Sequence, residues 1–146
     1  MKKKILILVN TLSFLISHRI DVIKAAKDNG YKVIVAYGEL GNTKTSILSK
    51  YGVDYLQVPL KRRSINPFKE IWSFFSICRI FYKHKPDIVH LITIKAYLYG
   101  GIAARLMRVP GVISAIAGLG IFFNKNNWWN FFFQKIVYLI FYLAFR

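Results

Sequence analysis

Short runs of apolar residues alternate along this chain with longer segments in which apolar residues return every three or four positions. The runs predict five buried strands, at residues 4–9, 32–36, 53–58, 87–92 and 111–116. The longer segments predict helices at residues 17–29, 42–50, 67–83 and 96–107, with a further helical segment at residues 128–145. Strands and helices that alternate with short connections form right-handed βαβ units. The pattern therefore predicts an α/β fold, namely a Rossmann-like, doubly wound parallel sheet.

Polar residues within the helical segments predict which helix ends and faces meet solvent. Ser17 is placed to cap the helix at residues 17–29, and Pro67 suits the first turn of the next long helix. That long helix has a polar stripe of four residues, Lys69, Ser73, Ser76 and Lys83. The stripe predicts the side of the helix that faces solvent.

The excess of basic over acidic residues indicates which molecules this protein would attract. The 146 residues form a single domain (residues 1–146), and 22 Lys and Arg against 6 Asp and Glu give a formal net charge of +16 at pH 7. Such a field attracts polyanions, whether nucleic acid, an anionic membrane surface or a phosphorylated substrate. The histidines and the single cysteine are too scattered for a metal-ligand spacing, so no metal site is predicted.

Four polar or glycine-rich features follow predicted strands or open a predicted helix, at the edge where open α/β sheets bind ligands. They are Ser17-His18-Arg19, Lys61-Arg62-Arg63, Thr93 with Lys95, and Gly118-Leu119-Gly120. Cations, a helix N-terminus and glycine turns all favour phosphate. The residues predicted to bind this phosphate are His18, Arg19, Arg62, Thr93, Lys95, Gly118 and Gly120. The prediction requires the fold to gather them along one edge of the sheet.

Each of these features also has an ordinary structural interpretation. His18 can be a capping or exposed histidine, the basic loop can be solvated, and the glycines can belong to a plain turn. His90, inside the fourth predicted strand, is interpreted as a core histidine. No glycine occurs between residues 1 and 29, which argues against a dinucleotide cofactor. No pair of carboxylates and no nucleophile with a base stands out as catalytic.

The segment at residues 128–145 is rich in Trp, Phe and Tyr and allows three interpretations. It can pack on the sheet as an ordinary helix, lie in a membrane interface, or span a bilayer. Asn130, Gln134 and Lys135 interrupt the apolar sequence near one end, and the apolar run that follows is too short to span. The first two interpretations are therefore preferred.

Several of these segments, taken in chain order, are similar to one known family of enzymes. They are residues 4–9, Phe14-Leu15-Ile16-Ser17-His18-Arg19, Gly30-Tyr31-Lys32-Val33, residues 60–67, residues 86–95, residues 100–105 and Ala117-Gly118-Leu119-Gly120. The chain resembles the N-terminal domain of retaining GT-B glycosyltransferases of the family 4 type, particularly those of bacterial capsule, O-antigen and lipid-linked oligosaccharide synthesis. It departs from them at Asn10-Thr11-Leu12-Ser13, where many have a glycine-rich loop, and at Ala117, where many have a histidine.

The resemblance implies a two-domain enzyme in which this half binds the acceptor and the C-terminal half binds the nucleotide-sugar donor. The implied acceptor is a sugar on a lipid diphosphate or a surface polysaccharide. The implied location is peripheral, at the cytoplasmic face of the bacterial membrane. Because the chain ends at Arg146, before the donor half, we expect a truncated domain that is inactive alone. The alternative is a non-catalytic, membrane-anchoring subunit of a split glycosyltransferase, which works with a separate C-terminal chain.

Nucleic-acid binding is a third interpretation of the positive charge. No RNP, helix-turn-helix or zinc-finger pattern accompanies the basic residues. They fall instead at predicted strand ends and within amphipathic helices, so we do not expect a nucleic-acid partner.

Overall fold

The computed structural model describes residues 2–61, 66–115 and 142. Within these residues the strands are β1 (Lys4–Thr11), β2 (Lys32–Glu39), β3 (Asp54–Gln57), β4 (Ile88–Ile92) and β5 (Gly111–Ala115). The helices are α1 (Leu12–Asp28), α2 (Ser46–Lys50), α3 (Pro67–His84) and α4 (Ile94–Leu106). Strand and helix therefore alternate in the predicted order. The predicted helical segment at residues 128–145 lies, except for residue 142, outside the described residues.

The strands form one parallel sheet with the order β3-β2-β1-β4-β5. β1 is central, and its Leu8 stands between Ala36 of β2 and Leu91 of β4. The chain builds outward from β1 to β3 and then crosses back to place β4 on the other side of β1. The order of the strands thus reverses between β1 and β4, which is where open α/β sheets bind ligands. The predicted doubly wound sheet is confirmed.

Side chains that alternate along the strands fill a separate core on each face of the sheet. The core between the sheet and helices α3 and α4 includes Leu6, Leu8, Ile77, Phe81 and Ala96. The core between the sheet and helices α1 and α2 includes Ile7, Val9, Leu15, Ile23 and Leu48. Because both faces are covered, β1 is apolar along most of its length, as is usual for a parallel strand buried on both sides. Among the described residues, no helix combines the length and the apolar character that crossing a membrane requires.

Two glycines permit close approaches that position the carboxyl edge of the sheet. A Cβ atom on Gly100 of α4 would lie 2.5 Å from Leu91 Cδ2 and 3.0 Å from Leu8 Cδ2, so α4 lies close against β1 and β4. A Cβ atom on Gly38 of β2 would overlap the carbonyl oxygen of Leu60. The segment that follows β3 therefore runs directly against the end of β2.

Helix α1 begins earlier than the sequence predicts, which changes the place of Ser17 and the two residues after it. The helix starts at Leu12 rather than at residue 17, directly after β1. Leu12 and Leu15 are fully buried, so packing on the sheet holds the first turn without a side-chain cap. The prediction that Ser17 caps the helix is wrong, because its hydroxyl donates to the Ser13 carbonyl oxygen at 2.8 Å, inside the helix.

The predicted polar stripe of α3 is only partly right. Ser73 is buried, and its hydroxyl lies within hydrogen-bond distance of the carbonyl oxygens of Lys69 and Pro59. A serine hydroxyl that donates to the carbonyl oxygen one turn earlier in its helix has its hydrogen bond satisfied, so the residue can be buried in a core. The exposed side of α3 carries large apolar residues in addition to its cations.

Replacing Gly38 with alanine tests how tightly the segment after β3 is held. The new methyl group would overlap the Leu60 carbonyl oxygen, which is a backbone atom and has to move. We expect Gly38→Ala to lower the free energy of unfolding by about 1–3 kcal/mol, the usual range for overpacking. Urea denaturation followed by circular dichroism measures this change. Ser46→Ala, at an exposed position of α2, is the control and should cost less than about 0.5 kcal/mol. An equally small cost for Gly38→Ala would contradict the close approach.

Candidate functional site

The carboxyl ends of β1 and β4 lie side by side at the reversal of the strand order. Val9 pairs with Ile92, and the backbone N–H of Asn10 donates to Thr93 Oγ1 at 3.3 Å. Helices α1 and α4 start directly after these two strands. Two helix N-termini therefore flank one point at the edge of the sheet, and this point is the candidate site.

The first turns of α1 and α4 suit an anion electrostatically. Within the described part of the chain, neither turn holds an acidic residue, and neither N-cap residue, Thr11 or Thr93, caps its helix with its side chain. A helix N-terminus carries a partial positive charge that a phosphate would neutralise. At α1 the N–H of Ser13 already donates to the Leu40 carbonyl oxygen at 3.1 Å. The N-terminus of α4 is therefore the better placed of the two for an anion.

Thr93 has a backbone conformation that is unusual for a residue with a β-branched side chain. Its φ is 83° and its ψ is 154°, in a region that glycine adopts far more readily. Strained positions of this kind are concentrated at functional sites, where the surrounding structure holds them in place. Thr93 stands at the end of β4 as predicted, and its contact with a ligand stays a prediction.

Asn10 places a buried amide at the same point. Only 5% of the residue is exposed, and among the described residues no group donates a hydrogen bond to its Oδ1 atom. A buried acceptor without a donor costs free energy, and such groups are rare in folded proteins. A ligand hydroxyl that donates to Asn10 Oδ1 would remove this cost.

A cluster of Glu70, Lys95 and Tyr99 joins α3 to α4 beside this point. Lys95 Nζ lies 2.8 Å from Glu70 Oε1 and donates to the Lys61 carbonyl oxygen at 3.0 Å. Tyr99 Oη donates to Glu70 Oε2 at 2.6 Å. The side chains of Lys95 and Glu70 are 19% and 17% exposed, so the ion pair is largely removed from water. Burial, together with the Glu70 carboxylate, raises the pKa of Tyr99, which therefore remains a neutral donor.

Lys95 is not the isolated cation that the predicted phosphate-binding role assumed, because its ammonium group already pairs with the Glu70 carboxylate. A phosphate at this edge would share Lys95 with Glu70 rather than meet an isolated charge. The same ammonium group also holds Lys61, the first residue of the basic stretch, against the first turn of α4. Binding of an anion by Lys95 stays a prediction.

His18 and Arg19 lie in the second turn of α1, away from the helix N-terminus on which their predicted role depended. His18 is exposed, its ring stacks on Phe14 at 4.5 Å, and its Nδ1 atom lies 2.6 Å from Ser17 Oγ. Burial and then the charge of Arg19 lower the pKa of His90. Arg19 lies on α1, the helix that packs on the face of the sheet opposite α3 and α4. The placement of this pair at a helix N-terminus is wrong because α1 begins earlier.

The predicted residues consequently form two groups. Thr93 and Lys95 stand at the strand reversal and on the α4 face, whereas His18 and Arg19 belong to α1 on the opposite face. The two helices that carry these groups pack on opposite faces of the sheet, and a shared phosphate contact stays a prediction. The remaining predicted residues lie outside those described: Arg62, Gly118 and Gly120.

Three residues of the site escaped the sequence analysis: Asn10, Glu70 and Tyr99. A polar residue that ends an otherwise apolar strand is the signal that identifies Asn10. Glu70 shares the helix face of Ile77, which is buried, and an acid on a buried face needs a cation or a donor. Lys95 and Tyr99 are four residues apart, so they lie on one side of α4 and supply both.

An open parallel sheet whose strand order reverses between β1 and β4 is a Rossmann-like α/β fold, which the N-terminal domains of GT-B glycosyltransferases share with other enzymes. A family model described as glycosyl transferase 4-like matches residues 4–146. The chain therefore belongs to the glycosyl transferase 4-like family.

Two curated relatives are similar over part of the chain. N,N'-diacetylbacillosaminyl-diphospho-undecaprenol alpha-1,3-N-acetylgalactosaminyltransferase of Campylobacter jejuni is 27% identical over 105 residues, which are 72% of this chain and 27% of that protein. UDP-Gal:alpha-D-GlcNAc-diphosphoundecaprenol alpha-1,3-galactosyltransferase of Escherichia coli is 39% identical over 70 residues, which are 48% of this chain and 18% of that protein. The aligned region thus spans about a quarter or less of the length of either relative.

Solved structures share the fold. A glycosyltransferase from Rickettsia africae matches 94% of this chain and 35% of its own, with a TM-score of 0.66 and 21% identity. The UDP-GlcNAc 2-epimerase from Neisseria meningitidis matches 94% of this chain and 38% of its own, with a TM-score of 0.63 and 15% identity. Because transferases and epimerases share this architecture, the reaction has to be argued from the site.

Removing Lys95 should leave the Glu70 carboxylate charged and largely buried. We expect Lys95→Met to lower the free energy of unfolding by about 1–3 kcal/mol. Lys24→Met, which breaks an exposed pair with Asp21, is the matched control and should cost less than about 0.5 kcal/mol. Denaturant unfolding measures both. In a Glu70→Gln background the same Lys95→Met change should cost less, whereas strictly additive effects would contradict the coupling of the two side chains.

Proposed function

We propose that this chain forms the acceptor-binding half of a retaining glycosyltransferase. In this proposal a sugar passes from a nucleotide-sugar donor to an acceptor linked to a lipid diphosphate, or to a surface polysaccharide. Membership of the glycosyl transferase 4-like family supports glycosyl transfer. Both curated relatives act, by name, on a sugar joined to diphospho-undecaprenol, which supports a lipid-diphosphate acceptor here.

The observation that carries the proposal is the meeting of β1 and β4 at the strand reversal. A diphosphate would face the first turn of α4, where the positive end of the helix and the Lys95 ammonium group favour it. Thr93 lies directly between strand and helix. A sugar hydroxyl would donate to Oδ1 of Asn10, which accepts no hydrogen bond from residues 2–61 or 66–115. These groups supply both kinds of contact that a sugar diphosphate needs.

Donor binding and catalysis belong, in this proposal, to a GT-B C-terminal domain. That domain would be a further part of the same polypeptide or a separate chain, since the aligned region here covers 27% and 18% of the relatives. The nucleotide sugar enters as a substrate, and no cofactor is assigned. Arg62, in the basic stretch after β3, would add a cation to the phosphate site, and Gly118 with Gly120, which follow β5 in the sequence, would offer backbone N–H groups.

The proposed location is the cytoplasmic face of the bacterial membrane, where the protein would be peripheral. A net charge of +16 favours an anionic lipid surface. A non-catalytic, membrane-anchoring subunit would share this property, but it would bind no acceptor sugar. Acceptor binding therefore separates the two functions.

A kinetic experiment tests the role of Lys95 in acceptor binding. The double variant Glu70→Gln/Lys95→Gln removes the cation and leaves two neutral amides that can bond to each other, so α3 and α4 stay joined. In a sugar-transfer assay that includes a C-terminal donor domain, we expect KM for the lipid-diphosphate acceptor to rise about tenfold, the value of one charge-assisted hydrogen bond. KM for the nucleotide sugar should change by less than about twofold, because the donor contacts lie elsewhere.

Lys24→Gln, on the exposed side of α1, is the control for this assay. An unchanged KM for the acceptor in the double variant would contradict the role of Lys95. Absence of transfer from every nucleotide sugar, with bacterial membranes as the acceptor source, would contradict the proposed enzyme. If the acceptor sugar also fails to bind while the chain associates with membranes, the result would favour the anchoring subunit.

A further inference from the structure

The outward side of α3 carries large apolar side chains that are exposed. Five of them are between 54% and 81% exposed: Phe68, Ile71, Trp72, Phe75 and Tyr82. They recur at the three- and four-residue spacing of one helix face, while Ile77 and Phe81 fill the buried face. These five residues are called the apolar outer face of α3.

An exposed apolar surface of this kind is a mark of an interaction site. Single exposed apolar residues are normal on a folded protein, but a contiguous group on one helix is favourable only when something covers it. The inner face of α3 already supplies the residues that the core needs. Among the described residues, the core therefore has no need of the outer face, which is available for a further contact.

Cations border the apolar outer face. Lys69, Arg79 and Lys83 are exposed on α3, and the one acid of the helix, Glu70, is held by Lys95 on the inner side. A second copy of this chain would bring a like-charged surface and a further +16, which opposes self-association. An anionic lipid surface offers negative charge at its headgroups and an apolar layer beneath them, so it complements the face in both respects.

The apolar outer face also adjoins the candidate site. Helix α3 begins at Pro67, after the segment that leaves the carboxyl end of β3. Its first turn carries both Phe68, which is exposed, and Glu70, which reaches Lys95 at the site. Most of the exposed apolar residues, up to Phe75, fall in the first half of the helix. A membrane against this face would lie next to the edge between β1 and β4.

We propose that α3 docks this protein on an anionic membrane, with its apolar outer face inserted at the boundary between headgroups and acyl chains. Lys69, Arg79 and Lys83 contact the lipid phosphates. The inference rests on the proposed function. With α3 docked in this way, the edge between β1 and β4 would lie next to the headgroup layer, where the diphosphate of a lipid-linked acceptor is located. The inference assigns the membrane contact to a segment other than residues 128–145.

Vesicle binding tests the apolar part of this contact. The complete chain is mixed with vesicles of phosphatidylcholine, or of phosphatidylcholine with phosphatidylglycerol, and the bound fraction is measured by co-sedimentation. We expect Trp72→Gln/Phe75→Gln to weaken binding to the anionic vesicles about tenfold or more, because two side chains lose their burial in lipid. The matched control, Leu40→Gln/Leu106→Gln, removes two exposed apolar side chains outside α3 and should bind as the wild type does.

Two double variants that remove the same number of positive charges test whether vesicle binding depends on where those charges lie or only on the net charge. Arg79→Gln/Lys83→Gln removes two charges from α3, and Lys44→Gln/Lys50→Gln removes two exposed charges near α2, on the other side of the sheet. We expect the first double variant to weaken vesicle binding about fivefold for each charge and the second to have a much smaller effect. Equal effects would overturn the assignment to α3, because adsorption would then follow net charge alone.

Two further results would overturn the proposal. Vesicle binding that is unchanged in both α3 variants would place the membrane contact in another segment. A wild-type dimer in sedimentation equilibrium that dissociates in Trp72→Gln/Phe75→Gln, while that variant still binds vesicles, would make the apolar outer face a contact between copies.

The acceptor used in the transfer assay distinguishes failure of this proposal from failure of the proposed function. In the presence of the donor domain, Trp72→Gln/Phe75→Gln should transfer sugar to a short-chain, water-soluble lipid diphosphate at the wild-type rate. Transfer to the same headgroup embedded in vesicles should fall in parallel with vesicle binding. Absence of transfer in every variant, with the vesicle results as expected, would contradict the proposed function and still support α3 as the docking surface.

Discussion

Burial of β1 on both faces is the constraint on which the rest of the structure depends. Its residues from Ile5 to Asn10 are all buried, between β2 and β4 within the sheet and between helical layers on either side. Because water is excluded, the backbone must bond to both neighbouring strands and the side chains must be apolar on both faces. The polar residue of this run, Asn10, falls where the strand ends, and there its amide oxygen has no donor within the described part of the chain. The most completely buried strand thus ends in a group that a ligand would stabilise.

The reversal in strand order also determines which helices meet. The chain returns from β3 across the sheet through α3, so α3 and α4 lie on one face and share a core. At the end nearest the candidate site their contact becomes ionic, where Glu70 meets Lys95 and Tyr99. A largely buried ion pair adds little stability over a well-packed apolar contact, but the loss of one partner is costly. The main effect of this ion pair is therefore to fix positions. Lys95 also donates to the Lys61 carbonyl oxygen, which holds the segment after β3 against α4.

The strands could be predicted from the sequence because a parallel strand buried on both faces requires a continuous apolar run. The start of α1 could not, because its first turn is held by burial of Leu12 rather than by a cap, glycine or proline. The face of the sheet on which each predicted site residue lies could not be predicted either, for a different reason. Arg19 and Lys95 both follow strands, but the face on which each helix lies depends on the order of the strands, which periodicity does not contain. Thr93 and Lys95 could be placed because they lie within three residues of the end of β4 itself.

Helix α3 shows why an apolar pattern alone does not identify the surface of a protein. Periodicity locates the buried face of a helix when the opposite face is polar, but in α3 both faces are apolar, and only the inner one, with Ile77 and Phe81, is needed by the core. Transferases and epimerases share this sheet, so the sheet by itself does not define a reaction. The function of one protein of this architecture therefore depends on groups that the packing of the fold does not require. In the described part of this chain they include a buried amide oxygen without a donor at the end of β1 and the exposed apolar outer face of α3.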